Sequence, residues 1–413
     1  MGPHPSNAKP RPCQTRGMGA AMAETGIITR MHPSVQDIAE QAWNTLLDQQ
    51  PHPTPFMRHA YLAALEASGS ATAATGWSAR YLTQWRGPAL VAACPVYLKA
   101  HSWDEYIFDW AWARAHAEHG LPYYPKAVVA VPFTPVPGTR LMACNPAQRL
   151  ALAQALRDWS ESEGLSSLHV LWCAAEDLEA CTQAGLMQRD NVQFHWSHAG
   201  EADFDGFLAR LTQDKRKKIR QERRRVAEAG VRFHWARGAD ITPQDWDFFY
   251  RCYERTYLEH GNPPYLTPDF FQRLAHHEPE PWVLFTAERA GEPIATSLIA
   301  TGAQPKSAAG QNGMETVAYG RYWGATQRVD CLHFDACYYQ PLQWCMAHGV
   351  QRFEGGAQGE HKMARALLPV RTHSAHWLAH PAFADAVDRF LAQERLGVDR
   401  YLQELWRHSP LKN

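Results

Sequence analysis

One order of helix and strand patterns runs through this chain twice, and that repetition constrains the fold more than any single motif. In the first half, apolar positions at helical spacing (Val35, Ile38, Ala42, Trp43, Leu46, Leu47) mark one helix, and a second is expected over Met57–Ala67. Ser78–Trp85 and Leu90–Leu98 read as strands joined by the turn Arg86-Gly87-Pro88. Short strands at Val128–Val131 and Arg140–Met142 follow, then a helix at Leu150–Glu163 stopped by Gly164 and a strand at Leu168–Trp172. A short helix and a strand near Gln193–Trp196 complete this half. Helices over Phe204–Ala229 and Asp245–Glu259 open the second round. Strands come at Trp282–Glu288 and Ile294–Thr301, across the turn Ala290-Gly291-Glu292-Pro293, and then at Thr316–Tyr322. A glycine-containing loop leads to a helix over Leu332–His348, which Gly349 ends, and to a strand at Arg352–Glu354.

A local echo supports duplication. Trp159, Gly164, Leu165 and Leu168 have the spacing of Trp344, Gly349, Val350 and Phe353, each time with Trp on the last turns of a helix and Gly at its C-terminal end. The expected architecture is two copies of one mixed α/β unit, over 34–198 and 199–395, and 413 residues suffice for both. Residues 1–33, rich in Pro, Gly and Ala, are expected to be a flexible tail in which Met18, Met22 or Met31 is an alternative start. Residues 396–413 are expected to be a C-terminal tail.

Apolar residues make up 45% and charged residues 20%, the balance of a packed globule. A net charge of −1 supplies no general attraction to nucleic acid or an anionic membrane, so a polyanion must meet a local patch. One such patch exists: eight of the eleven residues from Lys215 to Arg225 are Lys or Arg. On a helix they cannot share one face, so some are solvated; the run reads either as a plain exposed face or as a surface for polyphosphate or RNA. No window approaches 18 consecutive apolar residues, so no membrane span is expected. The nine cysteines form no CxxC pair and sit mostly within apolar runs, which implies free thiols in a reducing, cytoplasmic setting. His373 and His376, three apart in a strand, should point to opposite faces, and no Cys or carboxylate completes a set, so no metal is expected.

Residues 352–369 carry the densest chemistry. Glu354 closes a short strand, Gly355, Gly356 and Gly359 punctuate a loop, and Glu360, His361, Lys362 and Arg365 follow. Glycines at this spacing let the backbone take positive φ and turn its N–H groups inward on an anion or an acyl oxygen. A carboxylate, an imidazole and two cations beside such a loop suit acyl transfer to an amine. The competing reading is a helix-capping loop decorated with solvated charges.

Several segments carry a family resemblance: Pro55-Phe56-Met57-Arg58-His59, Pro95-Val96-Tyr97-Leu98-Lys99, Tyr123-Tyr124-Pro125-Lys126 and Val131-Pro132-Phe133-Thr134-Pro135. Tyr319-Gly320-Arg321-Tyr322-Trp323-Gly324 and Leu332-His333-Phe334-Asp335-Ala336-Cys337-Tyr338-Tyr339-Gln340 join them. Together, over about residues 40–395, they resemble the bacterial family of N-acyltransferases labelled peptidoglycan biosynthesis/recognition, FemAB-like members of the GNAT superfamily. The resemblance implies a mixed α/β fold of tandem GNAT-like acyltransferase domains. It implies transfer of an acyl or aminoacyl group, from acyl-CoA or aminoacyl-tRNA as co-substrate, to the amine of a small molecule or peptidoglycan precursor. A binding protein that keeps the fold without the chemistry is the alternative.

Under this resemblance Glu354 is the first candidate for the base that deprotonates the amine and His361 the second, with N–H groups of Gly355–Gly359 holding the oxyanion. GNAT enzymes bind the pyrophosphate of acetyl-CoA in a strand-to-helix loop with the pattern Q/R-x-x-G-x-G/A; here Arg321 and Gly324 fit, and Thr326 departs from it. Donor or substrate contacts are expected from Arg321, Tyr322, Trp323 and Gly324, and from Gly355, Gly356, Gln358, Gly359, Lys362 and Arg365. The first half would add Tyr124 and Lys126, and a tRNA donor would lie on Lys215–Arg225.

Overall fold

The computed structural model describes residues 26–306, 313–357 and 359–412. Among them, thirteen strands form one sheet: β1 (Ile27–His32), β2 (Trp77–Arg86), β3 (Ala89–Lys99), β4 (Lys126–Val129), β5 (Met142–Ala143), β6 (Ser167–Cys173), β7 (Met187–Ser197), β8 (Val231–Arg237), β9 (Trp282–Arg289), β10 (Glu292–Pro305), β11 (Met314–Ala325), β12 (Arg352–Glu354) and β13 (Leu368–Leu378). Their order is β1-β2-β3-β4-β6-β13-β7-β12-β11-β10-β9-β8, with β5 beside β3.

The twofold order in the sequence becomes a twofold order of pairing. In the first half β2, β3 and β4 pair antiparallel in succession and β4 then pairs parallel with β6. In the second half β9, β10 and β11 do the same and β11 pairs parallel with β12. The last strands are exchanged. β13, from the second half, lies antiparallel to β6 of the first, and β7, from the first, lies antiparallel to β12 of the second. β7 and β13 also pair with each other, so the sheet runs through both halves without a gap.

Helices α1 (Glu40–Asp48), α2 (His59–Ala67), α3 (Trp110–Glu118), α4 (Pro146–Ser162), α5 (Ala175–Gln183), α6 (Phe204–Arg210), α7 (Gln213–Glu228), α8 (Pro243–Glu259) and α9 (Pro268–His277) pack on the sheet and on one another. Their starts follow local chemistry. The Asn145 side chain accepts the Gln148 N–H at 3.0 Å with Pro146 in the first turn of α4, and Thr242 and Asp245 form a capping box on α8.

Three expectations are corrected. Ile27–His32, placed in the tail, is a strand paired with β2. The single helix expected over Phe204–Ala229 is two, because Leu211 bridges to Leu411 and the Thr212 N–H bonds the Pro410 carbonyl between them. Residues 396–407, also expected as tail, are the second half of a helix over Pro381–Arg407 that packs on β7 and β13.

One face of the sheet carries a core shared by both halves: Trp43, Phe56, Tyr61 and Trp77 pack with Phe249, Tyr253, Phe270 and Tyr319. Each fully buried aromatic of this kind contributes roughly 2–3 kcal/mol by removal from water, so separating the halves would expose a large part of the stabilising area. The opposite face over the second half buries Phe194, Trp196, Phe207, Ile299, Tyr339 and Phe353. Among the described residues no helix is long and apolar enough to cross a membrane.

Candidate functional site

Strand alternation decides where the site lies. In β12, Phe353 points into the core that holds Trp196 and Tyr339, so Glu354 points to the other face. Glu354 is 4% exposed. Arg352 Nε donates to its Oε1 at 3.2 Å, and the same guanidinium binds Glu315 at 2.7 Å and Gln304 at 3.0 Å. Gln304 in turn donates to the Tyr319 hydroxyl at 2.6 Å. Burial pushes the Glu354 carboxyl up to about 7 against the pull of Arg352.

Its second oxygen, Oε2, is buried without a hydrogen-bond partner. His195 Nε2 stands 3.9 Å away, but burial, reinforced by Arg352 and Lys362, holds that imidazole down to about 3, so it is neutral and the contact is no ion pair. Arg140 has no exposed surface; Nη2 donates to the Val136 carbonyl at 2.5 Å while Nε and Nη1 lack partners, and its charge acts on Glu354. A carboxylate oxygen and two guanidinium nitrogens with unmet bonding capacity in one interior region are costly as pure structure, by about 1–3 kcal/mol each. Groups left in that state cluster at functional sites.

The glycine segment turns as expected, with Gly356 at φ +76° and Gly359 at φ +109°. Its polarity is the reverse of the expected one. The Gly355 N–H is bonded to the Phe194 carbonyl, and the carbonyls of Gly356 and Ala357 accept from Lys362 Nζ at 3.0 and 3.2 Å. The loop therefore presents oxygens to a buried ammonium, which burial pulls down to about 8. Gln358 lies outside the described residues.

His361 and Arg365 sit on the opposite face from Glu354. His361 is exposed, its Nε2 3.2 Å from the Tyr338 hydroxyl, and Tyr338 belongs to the core under Phe353. Arg365 is 2% exposed: it donates to the His361 carbonyl at 2.7 Å, bonds both oxygens of Glu222 at 3.3 Å and lies 3.5 Å over the Phe334 ring. The two candidate bases thus share no hollow, and Lys362 and Arg365 have internal partners where donor contacts were expected. Residues Asp335–Tyr339 beside them form a π-helical turn, a distortion that favours functional positions.

The segment from Arg321 is no loop; β11 continues to Ala325. Arg321 Nη2 donates to the Phe133 carbonyl, Thr134 Oγ1 and the Tyr322 hydroxyl at 3.1–3.3 Å, and its guanidinium packs over Phe56. The Trp323 carbonyl accepts from Thr256 at 2.9 Å. Gly324 is required by packing: a Cβ there would lie 1.9 Å from the Cys252 carbonyl oxygen on α8. Gly324→Ala is expected to destabilise the fold by about 3 kcal/mol or more, read as a lower urea midpoint, since backbone and not a flexible side chain must move. The strand-to-helix connection lies further on, and Cys331, at φ +67°, precedes the helical turn at Leu332.

Tyr124 and Lys126 are far from Glu354. In the sheet, Ala127 is opposite Leu168 and Leu168 opposite Trp377, whereas Glu354 is opposite His195 and His195 opposite Leu368. Nine residues of β13 separate these levels, about 30 Å at the strand rise. Lys126 is instead the centre of a buried polar network, bonded to Ser102 at 2.8 Å, Glu105 at 2.9 Å and Asp109, with Glu105 Oε1 and Asp109 Oδ1 left without partners. Tyr124 donates to or accepts from the same Ser102 at 2.8 Å, and Tyr123 donates to Asp109 at 2.6 Å. Beside it the Nδ1 atoms of His169 of β6 and His376 of β13 hydrogen-bond at 2.7 Å, and each Nε2 is held at 2.8 Å by a serine, Ser167 or Ser374. His373 bonds Asp190 at 2.9 Å. Among the described residues no group of three or more His, Cys, Asp or Glu is arranged to hold a metal.

On α7, Ile219, Glu222 and Val226 face inward, which leaves Lys217, Lys218, Arg220, Arg224 and Arg225 exposed. Arg220 and Arg224 pair with Asp205 and Glu228; among the described residues no carboxylate pairs with Lys217, Lys218 or Arg225. Sequence reasoning missed His195, Gln193 and Arg352 in the Glu354 cluster. Their signal was present: Gln193 and His195 alternate with Phe194 and Trp196, polar positions facing inward from a strand buried on both sides.

A family model described as FemAB-like, peptidoglycan biosynthesis/recognition, matches residues 34–413. The solved structure of FemX is similar at 10% identity and a TM-score of 0.50, covering 85% of this chain and 98% of FemX. L-PGS from Bacillus licheniformis aligns at 13% identity and 0.48 over 83% and 98%. A tandem GNAT protein from the clavulanic acid biosynthesis pathway aligns at 12% and 0.44 over 86% and 99%. No curated protein matches the chain.

Proposed function

The chain belongs to the FemAB-like family of peptidoglycan biosynthesis and recognition, with a tandem GNAT-like fold, and from that premise we propose that it transfers an acyl or aminoacyl group to an amine. The observation that carries this reading is Glu354: a buried carboxyl pushed up to about 7, with one oxygen unpartnered, at the end of a strand whose neighbour runs on. β12 stops at Glu354 opposite Tyr319, while β11 continues six residues to Ala325. No described strand pairs with that stretch on the β12 side, so its backbone, apart from the Trp323 carbonyl held by Thr256, offers an edge to an extended acyl donor. Glu354 Oε2 accepts the amine proton as nitrogen attacks the donor carbonyl, and the leaving thiol or ribose hydroxyl takes a proton from solvent. The neutral His195 stands 3.9 Å from Oε2 with its Nε2 3.2 Å from Gln193 Oε1, and Arg140 acts on Glu354 through its charge. The acceptor class that fits the family is a peptidoglycan precursor or a related amine. A second reading, recognition without transfer, is favoured by the 4% exposure of Glu354. Incubation with charged tRNA or acyl-CoA and candidate amines, followed by mass spectrometry, separates the two: multiple turnovers support transfer, and binding without turnover supports recognition.

The exposed basic face of α7 supports an aminoacyl-tRNA donor over a free acyl-CoA. Lys217→Glu with Lys218→Glu is expected to weaken tRNA binding at every sequence tested. It should also lower the slope of log affinity against log salt by about 1.5, near 0.7–0.9 per lost phosphate contact. An unchanged slope would assign α7 to solvent alone.

A further inference from the structure

A cavity of about 500 Å³ opens where the two halves meet, walled by Thr54, Pro55 and Arg58 from the first and by Arg237, Glu278 and Gly302 from the second. Three observations define what it can hold. Thr54 is 3% exposed, and its hydroxyl has no partner. Charges of both signs converge with incomplete pairing: Arg58 binds Asp48 at 2.6 Å but reaches Glu278 only at 3.8 Å, and Arg237 meets the Glu280 carbonyl at 3.3 Å and no carboxylate among the described residues. The wall at Gly302 lies on the same sheet as the Glu354 cluster, with β11 between them: Gly302 stands opposite Val317, and Val317 opposite Arg352. A Cβ on Gly302 would come within 3.0 Å of Pro55 Cδ, so the halves close on each other there with no side chain between them.

We infer that this junction cavity binds the zwitterionic head of an amino-acid acceptor, its carboxylate on Arg237 and its α-ammonium on Glu278. The inference rests on the amine-acceptor reading above and adds the chemical class of the acceptor. A lone cation or a lone anion would leave one of the two charged walls unmatched in a partly desolvated site, which is how such a pocket discriminates.

The test is calorimetric titration of the full chain with no acyl donor present, so that binding is read apart from turnover. L-Ornithine carries the head and a distal amine, putrescine lacks the carboxylate, and 5-aminovalerate lacks the α-ammonium. Saturable binding of ornithine at millimolar concentration is expected, with the other two at least about tenfold weaker. Arg237→Ala should lower ornithine affinity about tenfold and leave putrescine unchanged, whereas Glu278→Gln should weaken both and spare 5-aminovalerate. Arg237 lies at the rim and its variant is expected to fold, as circular dichroism will show. Equal binding of the three probes, no saturable binding of any, or indifference to Arg237→Ala overturns the inference. Specific binding of ornithine that is never acylated leaves the inference standing and removes the catalytic reading instead.

Discussion

Glu354→Gln is expected to lower kcat/KM by about 10²–10⁴-fold, the usual contribution of a positioned proton acceptor, while leaving the urea midpoint close to that of the wild type. The amide is nearly isosteric and can still meet Arg352. What disappears is the proton acceptor. The wild-type rate should therefore rise with pH through a limb centred at about 7, because burial raises the carboxyl and only its ionised form accepts a proton. In the variant that limb should be absent. His361→Ala gives the contrast: an exposed imidazole on the other face should matter by less than about tenfold. A Gln variant that keeps both its rate and its pH limb would reassign Glu354 to the brace formed by Arg352, Gln304 and Tyr319.

Lys126→Met is expected to be the most destabilising single change, by about 3–5 kcal/mol, because it strands two buried carboxylates. Lys126 has no exposed side-chain surface, and Glu105 and Asp109 are almost as buried. Burial pushes Asp109 up, but Lys126 and then His169 outweigh it and hold the carboxyl down to about 2, while burial raises Glu105 to about 7. The sign with pH follows. A carboxyl held low contributes stability above its unfolded value, and that contribution is lost as pH falls through the folded value. Without Lys126 both carboxyls are pushed up and protonate readily, so the deficit should shrink between about pH 7 and about pH 4, measured by urea unfolding at each. A deficit independent of pH would mean that lost packing and not stranded charge sets the effect.

Much of the architecture was legible because both rounds of the chain obey simple periodicities. The hairpins of β2 with β3 and of β9 with β10, the helices α4 and α8, and the strand Arg352–Glu354 fell where apolar spacing and Gly-containing turns put them. β8 was not legible: in Val-Arg-Phe-His-Trp-Ala-Arg only Val231 is buried, so an edge strand carries no apolar face to read. Nor did local pattern reveal that β7 and β13 change places, since strand exchange leaves no trace in periodicity. Within the site, the place of Glu354 at the end of a strand was legible, and its aim away from Phe353 follows from strand alternation in the fold. The partners of Lys362, Arg321 and Arg365 did not, because a cation looks alike in sequence whether it awaits a ligand or already holds a carbonyl or a carboxylate from a distant segment. Gly324 shows the same ambiguity: the spacing suited a phosphate loop, and the physical requirement was the passage of α8.

The exchange of β7 and β13 has a consequence for how the protein is made. Chain synthesis delivers β6 and β7 early, yet the slot between them is filled only when residues 368–378 of the second half have emerged. Until then the nascent first half exposes two bare ladder edges flanked by Leu168, Val170 and Phe194, a surface open to mispairing with other chains. Emergence of β13, and not completion of the first half, is thus the moment at which this molecule first becomes safe from its neighbours.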